Sequence, residues 1–312
     1  MNKTMRDAYG EILVELGEKY KNLVVLDADL SKANRTSFFA KKFPNRFFNI
    51  GIAEQNMIGV AAGLATTGLI PIAHSIAVFA TGRVFGQIRQ SVAYSQMNVK
   101  IVGGFAGFTA AEDGASHQSV VDIAIMRALP HMTVLVPADA NELRKAAVAM
   151  LDYEGPVYMR VCNVPTPVVY SSNYQFEIGK AVVLREGKNL SFIATGNMVA
   201  SALEAAKILS EKNISTRVIN IHTIKPIDKE TILKAASETK AIVIAEEHSI
   251  IGGLGSAVAE ILSENSVIAK IVRVGIKDVF GESGTFDDLM SYHMLTADSL
   301  ANLGQKILLG KN

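Results

Sequence analysis

The sequence predicts an α/β protein of two consecutive domains, each a largely parallel sheet flanked by helices. Three observations predict it. Short β-branched runs alternate with helical patterns, a turn-rich break interrupts the alternation near 164–174, and the alternation then resumes. In the first half, runs at 23–26, 69–73, 99–102 and 133–136 are apolar at nearly every position, as expected of strands covered on both faces. Helical periodicity fills 6–20, 53–65, 82–94 and 119–129, and a helix at 141–151 follows Asp139, a residue suited to cap it. Val164-Pro165-Thr166-Pro167 and Tyr170-Ser171-Ser172-Asn173-Tyr174 are rich in turn formers and read as a linker. Beyond it, strands are expected at 190–194, 215–219, 241–245 and 269–274, with helices at 198–212, 229–237, 255–263 and 296–309. The reading therefore divides the chain into a domain over 1–165, a linker over 166–184 and a domain over 185–312.

Composition bounds the function. Of 312 residues, 49% are hydrophobic, enough for two substantial cores, and the net charge of +1 argues against nucleic acid or a membrane surface as the main partner. Cys162 is the single cysteine, so no internal disulfide forms and a cytoplasmic location fits. The segment 1–6 lacks the apolar stretch of a signal peptide, and no apolar run reaches about 18 residues, so no membrane span is expected.

The segment Asn49-Ile50-Gly51-Ile52-Ala53-Glu54-Gln55-Asn56-Met57 is the most informative in the chain. Phe47, Phe48 and Ile50 read as a strand end, and the residues after Glu54 read as a largely apolar helix. A carboxylate at that junction is costly unless it finds a partner. It is either held by the helix N-terminus or placed there for chemistry. A second candidate is Glu112-Asp113-Gly114-Ala115-Ser116-His117-Gln118, after a loop rich in glycine and alanine that follows a predicted strand. Open α/β sheets bind ligands beyond the carboxyl ends of their strands, so two acids, a serine and a histidine there suit a polyhydroxylated ligand or proton transfer. The competing reading is a capped helix N-terminus with His117 at the surface. Phe79, at a strand-to-helix junction, either packs in the core or stacks on a heterocycle. Arg6, Arg35 and Arg160 are candidate phosphate ligands or surface residues. Glycines in 252–255 precede a helix and either receive an anion or permit close packing. No metal site is expected, since the six histidines show no metal-ligand spacing.

Taken in order, Gly-Ile-Ala-Glu-Gln-Asn-Met around Glu54, Glu-Asp-Gly-Ala-Ser-His-Gln at 112–118, and Met126-Arg127-Ala128-Leu129-Pro130 through Pro137-Ala138-Asp139 resemble the C-terminal half of the transketolase family. The resemblance covers essentially the whole chain, as a pyrimidine-binding domain and a C-terminal domain containing Glu246-Glu247-His248 and the 252–255 glycines. It implies thiamine diphosphate chemistry. Glu54 matches the glutamate that hydrogen-bonds the cofactor's aminopyrimidine ring and favours its proton-abstracting imino form. Phe79 matches an aromatic that stacks on that ring, and Ile76 falls where the family has a second one. His117 matches a histidine that binds the ketose and moves a proton, and Asp113 a residue that reads the neighbouring hydroxyl. Arg6 and Arg160 match arginines that hold the sugar phosphate. Two positions depart from the family pattern: Phe105 stands where a histidine is common, and a family serine falls near Ala33, beside Ser31.

The resemblance also implies a missing half. The chain looks like the C-terminal subunit of a split transketolase, needing a separate N-terminal subunit that holds Mg2+ and the diphosphate. Together they would form a heterotetramer around a homodimer of this chain and act on sugar phosphates. Two relatives share the layout: deoxyxylulose-phosphate synthase and the beta subunit of 2-oxo-acid dehydrogenases, both decarboxylating. The non-enzymatic alternative is a scaffold subunit without chemistry.

Overall fold

The strand Leu23–Asp27 carries four apolar residues in a row because both faces of its sheet are covered, and all five of its residues are buried. The computed structural model describes residues 4–310. Its strands are β1 Leu23–Asp27, β2 Phe47–Asn49, β3 Ile70–Ile76, β4 Lys100–Gly104, β5 Thr133–Leu135, β6 Val157–Arg160, β7 Val182–Arg185, β8 Leu190–Ala194, β9 Thr216–Asn220, β10 Thr223–Lys225, β11 Ile242–Ser249 and β12 Ile271–Ile276. They form a seven-stranded sheet in the order β10-β5-β6-β4-β3-β1-β2 and a five-stranded sheet in the order β12-β11-β8-β9-β7. Every pairing is parallel except β10 with β5 and β7 with β9. Two mostly parallel sheets flanked by helices are thus the observed architecture. No helix among the described residues is long and apolar enough to cross a membrane.

Most expected elements form where the periodicity places them. The helix Ala140–Asp152 begins at Asp139, whose side chain accepts a hydrogen bond from the Glu142 amide at 2.7 Å. The other Asp139 oxygen accepts from the Val169 and Tyr170 amides, tying the connecting segment to the same cap. The segment 82–94 differs from expectation. A short turn, Phe85–Gln87, passes into a π-helical stretch, Ile88–Ala93. Gly82 and Gly86 weaken the α-helix there, and π segments cluster at functional sites. The strand end read at 47–50 forms as β2, while three strands are too short to stand out in the sequence: β6, β7 and β10.

β10 changes how the halves relate. It lies in the second half of the chain yet pairs with β5 of the first sheet, and Lys225 caps the carbonyls of Arg127 and Leu129. One apolar cluster joins Ile193, Ile219, Ile242 and Ile244 to Met126, Val134 and Val136. An apolar interface of that kind holds two domains as one body.

A buried carboxyl sits on this junction. Glu142 accepts from the Ala138 amide at 2.7 Å and from Asn220 of β9 at 2.9 and 3.0 Å. Burial pushes its carboxyl up to about 8, against the pull of those hydrogen bonds. An acid raised in the folded state favours folding while protonated and loses that contribution as pH climbs from the unfolded value to the folded one. Glu142→Gln, a neutral counterpart, is expected to match the parent near pH 4.5 and to gain on it up to pH 8. The gain is at most about 1.4 kcal/mol per pH unit. Urea midpoints across that range check this, and a constant difference would show the carboxyl ionised throughout.

Candidate active site

Parallel strands bring their carboxyl ends to one edge of the first sheet, and that edge gathers the polar residues. Glu54 follows β2 and opens the helix Glu54–Ala65, whose other early residues include buried Met57 and Ile58. Its carboxylate is 3% exposed. Such burial calls for a partner, and the partner is Arg83, whose Nη1 donates to Oε2 at 3.0 Å. Ser75, near the end of β3, faces Oε1 at 3.4 Å. The Arg83 guanidinium also lies over the Phe79 ring, 3.9 Å from its centroid. His117 meets the same ring edge-on at 5.2 Å, and Ser116 Oγ lies 3.0 Å from His117 Nδ1. Glu54, Phe79 and His117 are therefore brought together through Arg83, which no sequence pattern singles out. Ile76 ends β3 and is buried, an apolar wall beside Ser75.

The 105–118 loop is clamped from the C-terminal half. Phe108 N–H donates to Glu247 Oε1 at 2.5 Å. Gln118 Nε2 donates to the carbonyls of Ala111 and Glu282, and Ser283 donates to that of Glu112. Gly107 adopts φ +62, and a Cβ there would strike the Glu247 carboxylate, so glycine is required on both counts. Asp113 and Glu112 remain exposed on this loop, and His117 is half-buried.

At the far end of the loop, Arg6 and Phe105 meet, the guanidinium 5.8 Å from the ring centroid. Arg6 Nη1 donates to the Ala33 carbonyl at 3.3 Å. Burial and the neighbouring Arg35 both lower the Arg6 pKa. Arg35 is held by Asp7 at 2.7 Å. Phe105 has φ +53, an outlying conformation for a bulky residue. His74 lies below it, fully buried, and burial lowers it to about 3, so the ring is neutral.

Arg160 is buried rather than at the surface: it is 6% exposed, and its Nε and Nη2 donate to Asp122 at 2.9 and 3.2 Å. Nη2 also donates to the carbonyls of Ser119 and Glu247. Burial disfavours its charge, but Asp122 and Glu247 more than offset that. Arg160 is a tie between the two halves. The glycines at 252–255 are likewise structural. Glu246 accepts from the Leu254 and Gly255 amides at 2.7 and 2.8 Å, so the protein's own carboxylate fills that helix N-terminus. His248, lowered by burial to about 4, accepts at Nε2 from the Ala124 amide, which identifies a neutral ring rather than an ion pair with Glu246.

A carboxylate at a helix start, an aromatic face and an imidazole on one sheet edge, with a second α/β domain clamping the loop that carries the imidazole, define a two-domain α/β protein with a candidate site at its strand ends. Residues 1–163 match the transketolase pyrimidine-binding domain family and residues 179–300 the transketolase C-terminal domain family. A protein described as a transketolase C-terminal section from Methanocaldococcus jannaschii is 52% identical over 301 residues, covering 96% of this chain and 94% of that one. A 6-deoxy-6-sulfo-D-fructose transketolase subunit from Clostridium sp. (strain MSTE9) is 45% identical over 308 residues, covering 99% and 95%. A solved split-gene transketolase, described as an inactive beta4 tetramer, superposes with a TM-score of 0.90 at 48% identity, covering 100% of both chains. The chain belongs to the transketolase family.

Proposed function

We propose that this chain is the C-terminal subunit of a thiamine diphosphate-dependent transketolase, moving a two-carbon ketol unit from a ketose phosphate to an aldose phosphate. The observation that carries the reading is the buried Glu54 grouped with Phe79 and His117 at the strand ends. These residues fit the cofactor: a buried carboxylate for the edge of an aminopyrimidine and a half-buried aromatic face for its plane. When bound, thiamine diphosphate supplies the nucleophilic carbon and electron sink for breaking a ketose carbon–carbon bond.

In this reading Glu54 hydrogen-bonds the pyrimidine edge, Phe79 offers its face and Ile76 keeps water from its side. His117 carries a proton to and from a substrate hydroxyl, oriented by Ser116 at Nδ1. Asp113 accepts from a neighbouring hydroxyl, and Arg6, with Arg35 near it, faces the sugar's anionic end. A separate N-terminal subunit supplies the diphosphate site and Mg2+, and the names of the M. jannaschii and split-gene relatives support that division. Phe105 beneath Arg6, and similarity to a subunit named for a sulfo-sugar, make the distal anion the variable part of the substrate.

The test mixes this chain with a candidate N-terminal subunit, thiamine diphosphate, Mg2+, xylulose 5-phosphate and ribose 5-phosphate. Sedoheptulose 7-phosphate is expected only when both chains are present. Turnover by this chain alone would refute the need for a partner. Use of pyruvate in place of the ketose would move the assignment to the decarboxylating relatives, and an assembled, cofactor-loaded complex inert toward both would leave the scaffold reading.

A further inference from the structure

Arg83 makes two contacts at once, and both fall on groups that the proposed cofactor site uses. Its Nη1 donates to Glu54 Oε2 at 3.0 Å, and its guanidinium carbon stands 3.9 Å from the centroid of Phe79. A guanidinium is planar, carries N–H donors along its edge and presents a π-like face. An aminopyrimidine is likewise planar with a π face, and its edge hydrogen-bonds a carboxyl group. One edge on Glu54 and one face toward Phe79 is therefore the arrangement that either group would seek. Arg83 is also free to leave, because its side chain is 44% exposed while that of Glu54 is 3% exposed. It sits after Gly82, just before the short turn Phe85–Gln87 and the π-helical stretch Ile88–Ala93.

We propose that Arg83 is a placeholder for the cofactor's pyrimidine ring: it pairs with Glu54 and covers Phe79 until the ring displaces it toward solvent. The inference rests on the functional reading above. Physically, the device keeps a buried carboxylate partnered at all times, since an unpaired one would destabilise the chain. Its consequence is a competition. Cofactor binding must break an ion pair and a cation–π contact that the chain has already made, so Arg83 sets cofactor affinity without touching the reacting atoms.

The experiment measures thiamine diphosphate binding at saturating Mg2+ to the reconstituted two-subunit complex, by calorimetry, for the parent, Arg83→Met and Arg83→Lys. Removing the competitor is expected to lower Kd by about tenfold in Arg83→Met. Lysine keeps the charge but not the planar fork, so Arg83→Lys is expected to fall between the two. A second readout uses the parent complex alone: phenylglyoxal labelling of Arg83, followed by peptide mass spectrometry with and without cofactor. Displacement into solvent predicts at least a severalfold rise in labelling when cofactor is present. Equal or weaker cofactor binding by Arg83→Met, or labelling that stays level or falls, overturns the placeholder and leaves the cofactor assignment standing. A parent complex that binds no thiamine diphosphate overturns the functional reading and this inference together. Should Arg83→Met fail to assemble, the labelling of the parent and the lysine variant decide the matter.

Discussion

Glutamine in place of Glu54 is expected to reduce ketol transfer by the reconstituted complex roughly 10²- to 10⁴-fold, the range attached to losing a positioned proton-transferring group. Glutamine keeps the shape and the hydrogen-bonding edge but has no acidic proton to exchange. The chain should still fold. Its ion pair with Arg83 is half open to water, and pairs of that kind contribute at most about 1 kcal/mol. Burying a neutral amide also costs less than burying a carboxylate. Turnover, thermal midpoint and complex size of Glu54→Gln would be measured side by side. Parent-like turnover would remove Glu54 from the chemistry and favour a non-catalytic subunit. A lost complex would assign it to assembly instead.

The largest expected stability effect lies away from the site. Asp122 is fully buried and accepts from Tyr158 Oη at 2.6 Å and from Arg160 Nε at 2.9 Å. Asp122→Asn leaves a buried guanidinium without its main counter-charge, and breaking one partner of a buried pair costs about 3–5 kcal/mol. Urea denaturation checks it, and a loss below about 1 kcal/mol would show the pair to be dispensable. The pH dependence gives a second check. Burial raises the Asp122 pKa, but Arg160, His248 and the Tyr158 hydroxyl together outweigh it and hold the group below its ordinary value. A depressed acid contributes stability above its unfolded pKa and loses it as pH falls through the folded one. The parent should therefore lose stability below about pH 4, and the advantage over Asp122→Asn should shrink there. Replacing both partners by apolar residues, Asp122→Leu with Arg160→Met, should recover much of the loss.

These two predictions differ in how visible their residues are in the sequence. Glu54 stands out because a lone carboxylate interrupts an apolar stretch, and that local contrast survives without any neighbour in view. Asp139 is legible for the same reason, as a capping residue directly before a periodic segment. Arg160 has no such contrast. It ends a four-residue strand, and its role depends on Asp122, 38 positions away. Arg83 depends in the same way on Glu54, 29 positions away.

What the sequence determined by itself is the alternation of strands and helices, the break between two α/β halves, and the position of the Glu54, Phe79 and 112–118 segments at strand ends. These follow from periodicity and local turn chemistry, which act over a few residues. Only the tertiary structure decided that β10 crosses to the first sheet, that Arg160 ties the halves together, that Glu246 fills the helix start at 254, and that Arg83 pairs with Glu54. A three-residue strand has too little pattern to declare its partner. A buried charge is settled by whichever opposite charge or backbone amide the fold carries to it.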